Sequence, residues 1–210
     1  MGGLVSYFQR GGSMMWLLLI LAVIGLAIII ERLYSLFIKV RINPSKLVND
    51  VTKMIEESGI DEALVFLKKH KSPIAKVLAA GLEKVENGRA VVEEAMAQKA
   101  AAEFAFLDRG MIYLQAVATL GPIVGFLGTV TGMIKAFTAI ALAGEVEPTI
   151  VASGISEALI TTATGLIIAA PTALFYAVFA DKINNYTRAT EEATNLFVEY
   201  LLESGILERV

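Results

Sequence analysis

The sequence predicts an all-α membrane protein with three transmembrane helices, two of which extend into a helical cytoplasmic domain. The chain is 56% hydrophobic and only 19% charged, and three long apolar runs hold almost none of the charge. No stretch keeps up the alternation of apolar and polar residues that is typical of strands. The basic residues cluster between the first two apolar runs, as the positive-inside rule expects of a cytoplasmic segment.

The first apolar run, residues 14–30, contains 17 residues without a charge and is followed by Glu31 and Arg32. That length is near the lower limit for a membrane span, and apolar residues after Arg32 extend it. A cleaved signal peptide is the competing interpretation, but it would have a shorter apolar core and a small-residue cleavage site. Bulky isoleucines precede Glu31 instead. We therefore predict that residues 1–40 form an N-terminal segment and a retained first transmembrane helix.

The distribution of charge predicts which segments face the cytoplasm. Of the 18 lysine and arginine residues, 13 lie between Arg32 and Arg109, whereas only Arg10 precedes the first span. The N-terminus should therefore lie outside, with residues 41–110 and 181–210 in the cytoplasm. Residues 144–153, which link the second and third spans, contain no basic residue and are predicted to form an external loop.

Residues 41–110 show the signals of a helical domain. Asn43-Pro44 and Ser72-Pro73 each pair an N-cap residue with proline at the first helical position. Ser58-Gly59 and Asn87-Gly88 carry glycine where helices end. From Arg89 we predict one uninterrupted helix that enters the second span, and from about Ser153 another that leaves the third span and ends near Glu203. Helices that project so far from the membrane need partners there, which favours an oligomer.

The second span, residues 111–143, contains four glycines spaced 4, 3 and 4 residues apart: Gly121, Gly125, Gly128 and Gly132. Such a stripe lets two helices approach closely in lipid. We expect the stripe to be buried between copies of the chain, where close packing would hold a pore of several helices together. Gly165 and Pro171 of the third span are assigned to the same packing role.

The third span, residues 154–180, contains one carboxylate and three neighbouring hydroxyls. An ionisable group within a span costs roughly 2.5–3.5 kcal/mol, so it is a functional-site hypothesis by default. Hydroxyls pass a proton through water or coordinate a small cation, whereas aliphatic side chains do neither. A lone threonine also often bonds back to its own helix. The predicted ion pathway combines both spans and consists of Thr129, Thr162, Glu157, Thr161 and Thr164.

Glu157 has three interpretations: an ion relay, a partner in an ion pair, and a solvated group near the outer interface. Counted from a turn near Pro148, Glu157 lies 9 residues along one helix and Lys135 lies 13 residues back along the other. The two side chains are thus able to pair across the hairpin, or Lys135 extends outward to water. The sequence does not decide between these alternatives.

Several residue patterns are missing, and their absence limits the possible functions. The chain has no cysteine, and His70 is its only histidine, which we expect to be a solvated surface residue. No nucleotide-binding, zinc or nucleophile motif occurs. We therefore expect neither an enzyme, nor a cofactor, nor a nucleic-acid partner. The spans also lack an aspartate that would take up and release a proton, so a second subunit would have to supply it.

Two segments resemble the MotA/TolQ/ExbB proton-channel family: LGPIVGFLGTVTGMIKAF (residues 120–137) and GISEALITTATGLIIAAPTALFY (residues 154–176). Their glycines, threonines, glutamate and proline are similar to the family signature in order and spacing. Three spans with the N-terminus outside resemble the TolQ/ExbB branch, because the MotA branch has an additional N-terminal helix. Lys135 is the departure from the family pattern.

The resemblance implies a multi-pass protein of the bacterial inner membrane, in contact with lipid. It implies a homopentamer around a dimer of a one-span ExbD- or TolR-like subunit whose membrane aspartate carries H⁺ or Na⁺. Thr129 and Thr162 match the pore-lining threonines of the family, and Glu157 matches its intramembrane glutamate. Ion flow would then energise a TonB- or TolA-like protein. A flagellar-type stator and a non-conducting membrane scaffold are the alternatives.

Overall fold

The computed structural model describes residues 2–38, 44–144 and 147–207. All regular structure in these residues is helical, which confirms the predicted fold class. A short 3₁₀ helix spans Val85–Asn87. In chain order the α-helices are α1 (Gly2–Arg10), α2 (Met14–Ile38), α3 (Pro44–Ser58), α4 (Ile60–Lys69), α5 (Pro73–Leu82), α6 (Arg89–Leu107), α7 (Met111–Ala143) and α8 (Pro148–Glu203).

Three helical stretches of the described chain are long and apolar enough to cross a membrane: Met14–Leu36, one within Arg89–Ala143 and one within Pro148–Glu203. They coincide with the three predicted spans. Pro122 and Pro171 lie inside α7 and α8 without ending them. Proline is tolerated in spans because neighbouring helices and hydroxyl side chains satisfy the backbone groups that it frees.

The helices differ from the sequence predictions in three ways. The structure adds α1, which the sequence analysis does not predict. The helix from Arg89 is not continuous, because Gly110, with φ of +88°, separates α6 from α7. Helix α8 begins at Pro148, earlier than Ser153, since proline fits a first helical turn where its missing N–H has no partner in any case.

The chain divides into two compact units, and the first comprises Met1–Glu31 and Gly110–Val178. Its apolar core joins α2 and α7 through Met15, Leu18, Leu21, Val117 and Val124, against which Phe8, Ile160 and Ile168 pack. This unit contains every residue of the predicted ion pathway.

The second unit comprises Arg32–Arg109 and Phe179–Val210. Its α3, α4, α5 and α6 pack in sequence, and the C-terminal part of α8 completes a core of large side chains. The fully buried members of this core include Leu67, Ile74, Leu78, Leu82, Met96, Phe179, Phe197 and Leu201. The helices that the sequence predicts for residues 41–110 are present in the described part of that range, and its place in the cytoplasm stays a prediction.

Specific polar contacts fix the helices of the second unit. Ser72 caps α5 as predicted, and its hydroxyl accepts a hydrogen bond from Ala75 N over 3.1 Å. The Tyr186 hydroxyl accepts from Ile74 N over 3.3 Å, which ties α8 to α5. The cap predicted at Asn43 lies outside the described residues. His70 is partly exposed after the end of α4, and its ring lies 4.5 Å from that of Phe66.

Candidate ion pathway on the second and third membrane helices

The glycine stripe of α7 packs directly on α8 of the same chain. A Cβ atom added to Gly121 would lie 2.9 Å from the carbonyl oxygen of Gly165, and one added to Gly125 would lie 3.1 Å from the Cα of Thr162. Gly132 meets the backbone of α8 in the same way, with Gly154 O at 3.0 Å. At these separations even an added methyl group would push the two backbones apart.

The expectation that the stripe is buried between copies of the chain is therefore wrong. Helix α8 presents its own small residues to α7, among them Ala158, Gly165 and Ala169. Two faces of small residues thus meet within one protomer. In lipid, burial of large apolar side chains gives no advantage, because lipid tails are as apolar as leucine, so helices associate through close contact between small residues. Gly165 has the predicted packing role in this contact, whereas Pro171 lies exposed on α8.

Thr162 is the pathway residue whose hydroxyl crosses between the two helices. Its Oγ1 donates a hydrogen bond to the carbonyl of Gly125 over 3.1 Å. The side chain is half-buried, so part of it remains available to a third group. A hydroxyl that donates its proton still has lone pairs with which it accepts a hydrogen bond or coordinates a cation.

The other three threonines bond to their own helices. Thr129 Oγ1 donates to Phe126 O over 2.6 Å, and Thr164 Oγ1 donates to Ile160 O over 2.8 Å. Both side chains are half-buried. Thr161 is fully buried against Gly128, and its hydroxyl lies 3.1 Å from Glu157 O and 2.9 Å from Ala158 O. The structure thus brings Thr161 and Thr162 to the contact between α7 and α8 and leaves Thr129 and Thr164 beside it.

Glu157 forms an ion pair with Lys135. The lysine Nζ lies 2.5 Å from Glu157 Oε1, and the side chains are 54% and 19% exposed, respectively. Of the alternatives that the sequence leaves open, the structure therefore contains the pair across the hairpin. The carboxylate is the more buried partner, and the flexible stem of the lysine reaches it from a more exposed position.

Gly12 is the site residue that sequence reasoning misses. It lies in the turn between α1 and α2 with φ of +68°, and a Cβ atom added there would collide with the Glu157 carboxylate. Two adjacent glycines after the basic end of a short amphipathic segment are the signal that would have indicated a turn at this point. Which residue the turn faces does not follow from the sequence.

The described residues contain no cluster of three or more histidine, aspartate or glutamate side chains able to hold a metal ion. The site consists instead of hydroxyls, one ion pair and closely packed small residues on two apolar helices. This arrangement defines a class: an α-helical, multi-pass membrane protein with polar groups at the contact of two spans.

Comparison with known proteins gives the family. The sequence pattern of the MotA/TolQ/ExbB proton channel family matches residues 69–192, more than half of the chain. A biopolymer transport protein ExbB homolog of Methanothermobacter thermautotrophicus is 27% identical over 88% of this chain, which spans 65% of that relative. The ExbB-like 3 protein of Synechocystis sp. is 33% identical over 81% of this chain and 82% of its own length.

The fold resembles a solved structure of C. jejuni MotAB, with a TM-score of 0.57 and 17% sequence identity. The likeness covers 85% of this chain and 70% of that one. The chain belongs to the MotA/TolQ/ExbB proton channel family. This family is one of proton channels and not of enzymes, and the resemblance stated from the sequence motifs is confirmed.

Proposed function

We propose that this chain is the channel subunit of a stator that couples proton flow to mechanical work on the cell envelope. With a one-span ExbD- or TolR-like partner it would energise TonB-dependent transport or a Tol–Pal system from the bacterial inner membrane. Its N-terminus would lie outside and the unit that contains α3 to α6 in the cytoplasm. Membership of the proton channel family is the observation that carries this proposal.

The proposed pathway runs along α7 and α8 beside Thr129, Thr162 and Thr164. Thr162 has the strongest support, because its hydroxyl lies at the contact of both helices and its side chain is only half-buried. Thr161 has the least support, since its hydroxyl is fully buried and bonds only to its own helix.

The protein would assemble as a homopentamer around a dimer of the partner. Because the glycine stripe is satisfied within one chain, contacts between copies would use other faces. Helix α7 exposes Phe126 and Phe137, which are 67% and 63% exposed, and such aromatic side chains suit lipid or a neighbouring copy. Native mass spectrometry in mild detergent should give a pentamer without the partner, and a monomer or dimer would count against the assembly.

Reconstitution tests the proposed activity. Liposomes that contain this chain alone should be nearly impermeable to protons, because α7 and the spanning part of α8 contain no aspartate. Liposomes that contain the chain with its one-span partner should take up protons under an imposed pH gradient. Absence of uptake with the partner present, in a complex that assembles, would contradict the proposal. Uptake of Na⁺ instead of H⁺ would show that the transported ion is Na⁺.

The Thr162→Val variant tests the pathway. Valine keeps the shape of threonine and removes the hydroxyl, so uptake should be lost while the complex still assembles. Thr119→Val is the matched control, because Thr119 is exposed on α7 and its hydroxyl donates only to Gln115 O of its own helix. Full uptake by Thr162→Val would show that this hydroxyl has a structural role alone.

A further inference from the structure

Lys135 is the only basic residue of α7, and the proposed pathway gives it no role. Its Nζ lies 2.5 Å from Glu157 Oε1. A lone charge on an apolar helix is costly in a membrane and is tolerated when it pairs with an opposite charge. The pair therefore accounts for both residues, which stand on different helices and face each other across the hairpin.

The turn between α1 and α2 lies against the carboxylate of this pair. At Gly12 two independent restrictions act together: the φ of +68° favours glycine, and the Glu157 carboxylate occupies the place of a Cβ atom. At Gly11 an added Cβ atom would lie 2.9 Å from the side chain of Ile160, close to Glu157 on the same helix. Both glycines of the turn thus rest on α8.

The carboxylate of Glu157 is consequently enclosed on two sides, by the ammonium group of Lys135 and by the backbone of Gly12. A group that relays ions has to exchange its proton with water or with the partner subunit. A carboxylate that is 19% exposed and already paired is poorly placed for that exchange. It is well placed to fasten α7 and the α1–α2 turn to α8.

We infer that Lys135 and Gly12 are positioning residues that hold Glu157 as a fastening group, and that Glu157 does not carry the transported ion. This inference rests on the proposed function, because it assigns a role within the same channel. Lys135 would neutralise the charge of the intramembrane carboxylate in this chain. The turn between α1 and α2 would form part of the channel wall.

Charge removal distinguishes fastening from relay in the proton-uptake assay with the one-span partner. Lys135→Met should reduce uptake by about tenfold or more, because it leaves the more buried carboxylate without its counter-ion. Glu157→Gln should reduce uptake less, since Lys135 is 54% exposed and reaches water. The double variant Lys135→Met/Glu157→Gln should regain uptake close to that of the wild type, and Lys135→Arg should retain it.

A relay role gives the opposite order. Glu157→Gln would then be the most harmful single change, and the double variant would stay as inactive as Glu157→Gln. Either of these results in complexes that assemble normally would overturn the inference.

Thermal unfolding gives a readout that does not depend on transport. Gly12→Ala should lower the melting temperature more than Gly144→Ala, its matched control. The two glycines have φ of +68° and +72°, but a Cβ atom added to Gly144 meets nothing within 4 Å. In a Glu157→Ala background, where the carboxylate is absent, the extra cost of Gly12→Ala should fall to that of Gly144→Ala.

An equal cost of Gly12→Ala in both backgrounds would overturn the inference, whatever the uptake assay shows. If the wild-type complex takes up no ion, the proposed function fails, and the melting experiment still decides whether Gly12 and Glu157 are coupled. Failure of the inference and failure of the proposed function are therefore separate outcomes.

Discussion

The two units of this chain are both made of packed helices, but the α7–α8 contact of the first unit and the core of the second unit pack by opposite means. In the first unit α7 meets α8 through glycine and alanine, and a Cβ atom added to Gly121 would lie 2.9 Å from a backbone oxygen. In the second unit the corresponding close approach at Gly81 is to the Met96 side chain, with the sulfur 2.5 Å from an added Cβ atom. The neighbour of Gly121 is fixed backbone, whereas that of Gly81 is the end of a flexible side chain.

The difference is the one expected between a core that excludes water and a contact between helices in a membrane. In water, burial of large apolar side chains drives association, and α5 and α6 bury such side chains, among them Ile74, Leu78 and Met96. In lipid that driving force is absent, and helices gain stability from close van der Waals contact between small residues. The α7–α8 contact should therefore be sensitive to added bulk and the core of the second unit to removed bulk.

The largest effect should come from added bulk in the first unit. Gly128→Leu would place a side chain where Thr161 lies, with Thr161 Cβ only 2.5 Å from an added Cβ atom. Overpacking typically costs about 1–3 kcal/mol, and here the backbones would have to separate, so we expect loss of folded protein. Detergent-solubilised yield and size-exclusion chromatography measure this. Ala141→Leu, at an exposed position of α7, should behave like the wild type.

Removed bulk in the second unit should have the next largest effect. Leu78 is fully buried on α5, and Leu78→Ala should cost about 3 kcal/mol through lost burial and a residual cavity. Thermal denaturation of the intact chain would record it. Val65→Ala is the control, because Val65 is 53% exposed on α4 and should tolerate the change. Equal losses at both positions would contradict a core held by large side chains.

A third prediction uses pH to probe the core of the second unit. Burial raises the pKa of the Tyr186 hydroxyl from 10.0 to about 12. Between these values the unfolded chain has lost a proton that the folded chain keeps, so stability is full below pH 10 and falls as pH rises towards 12. The loss is about 2–3 kcal/mol, at about 1.4 kcal/mol per pKa unit. Tyr186→Phe should lack this part of the loss of stability at alkaline pH. If stability falls equally steeply with pH in the wild type and in Tyr186→Phe, the Tyr186 hydroxyl makes no such contribution.

The smallest effect concerns a helix cap. Ser72→Ala removes the acceptor for Ala75 N at the start of α5 and should cost about 1 kcal/mol. Ser204→Ala serves as control, since its hydroxyl donates only to Leu201 O near the end of α8. Hydrogen exchange at the first turn of α5 should accelerate in Ser72→Ala alone. No change there would mean that the core of the second unit holds α5 without its cap.

Much of the fold could be predicted because its signals are local. Apolar length identifies spans, and Ser72-Pro73 and Asn87-Gly88 mark helix ends through the backbone chemistry of the residues themselves. The break at Gly110 was missed because a glycine inside a helical pattern is compatible with a continuing helix and with a left-handed turn. Helix α1 was missed because a short amphipathic segment needs a tertiary partner to be stable.

The candidate site could be predicted in its residue types and less well in its arrangement. Glu157 and Lys135 stand out because charges are rare in spans, but counting along the hairpin allows their pairing without deciding it. The partner of the glycine stripe did not follow, because a small-residue face fits another copy and another helix of the same chain equally well. The contact of Gly12 with Glu157 could not be predicted, since the two residues are distant in sequence.

By itself the sequence determined the all-helical class, the three spans, the family and the residues that carry polar groups into the membrane. These depend on residue chemistry and on spacing along one helix, which the chain contains in full. The tertiary structure alone decided that α7 packs on α8 of the same protomer, that Thr162 bonds across that contact and Thr129 does not, and that Gly12 lies against the Glu157 carboxylate. Such facts depend on which helix faces which, and that choice is made by packing between segments far apart in the chain.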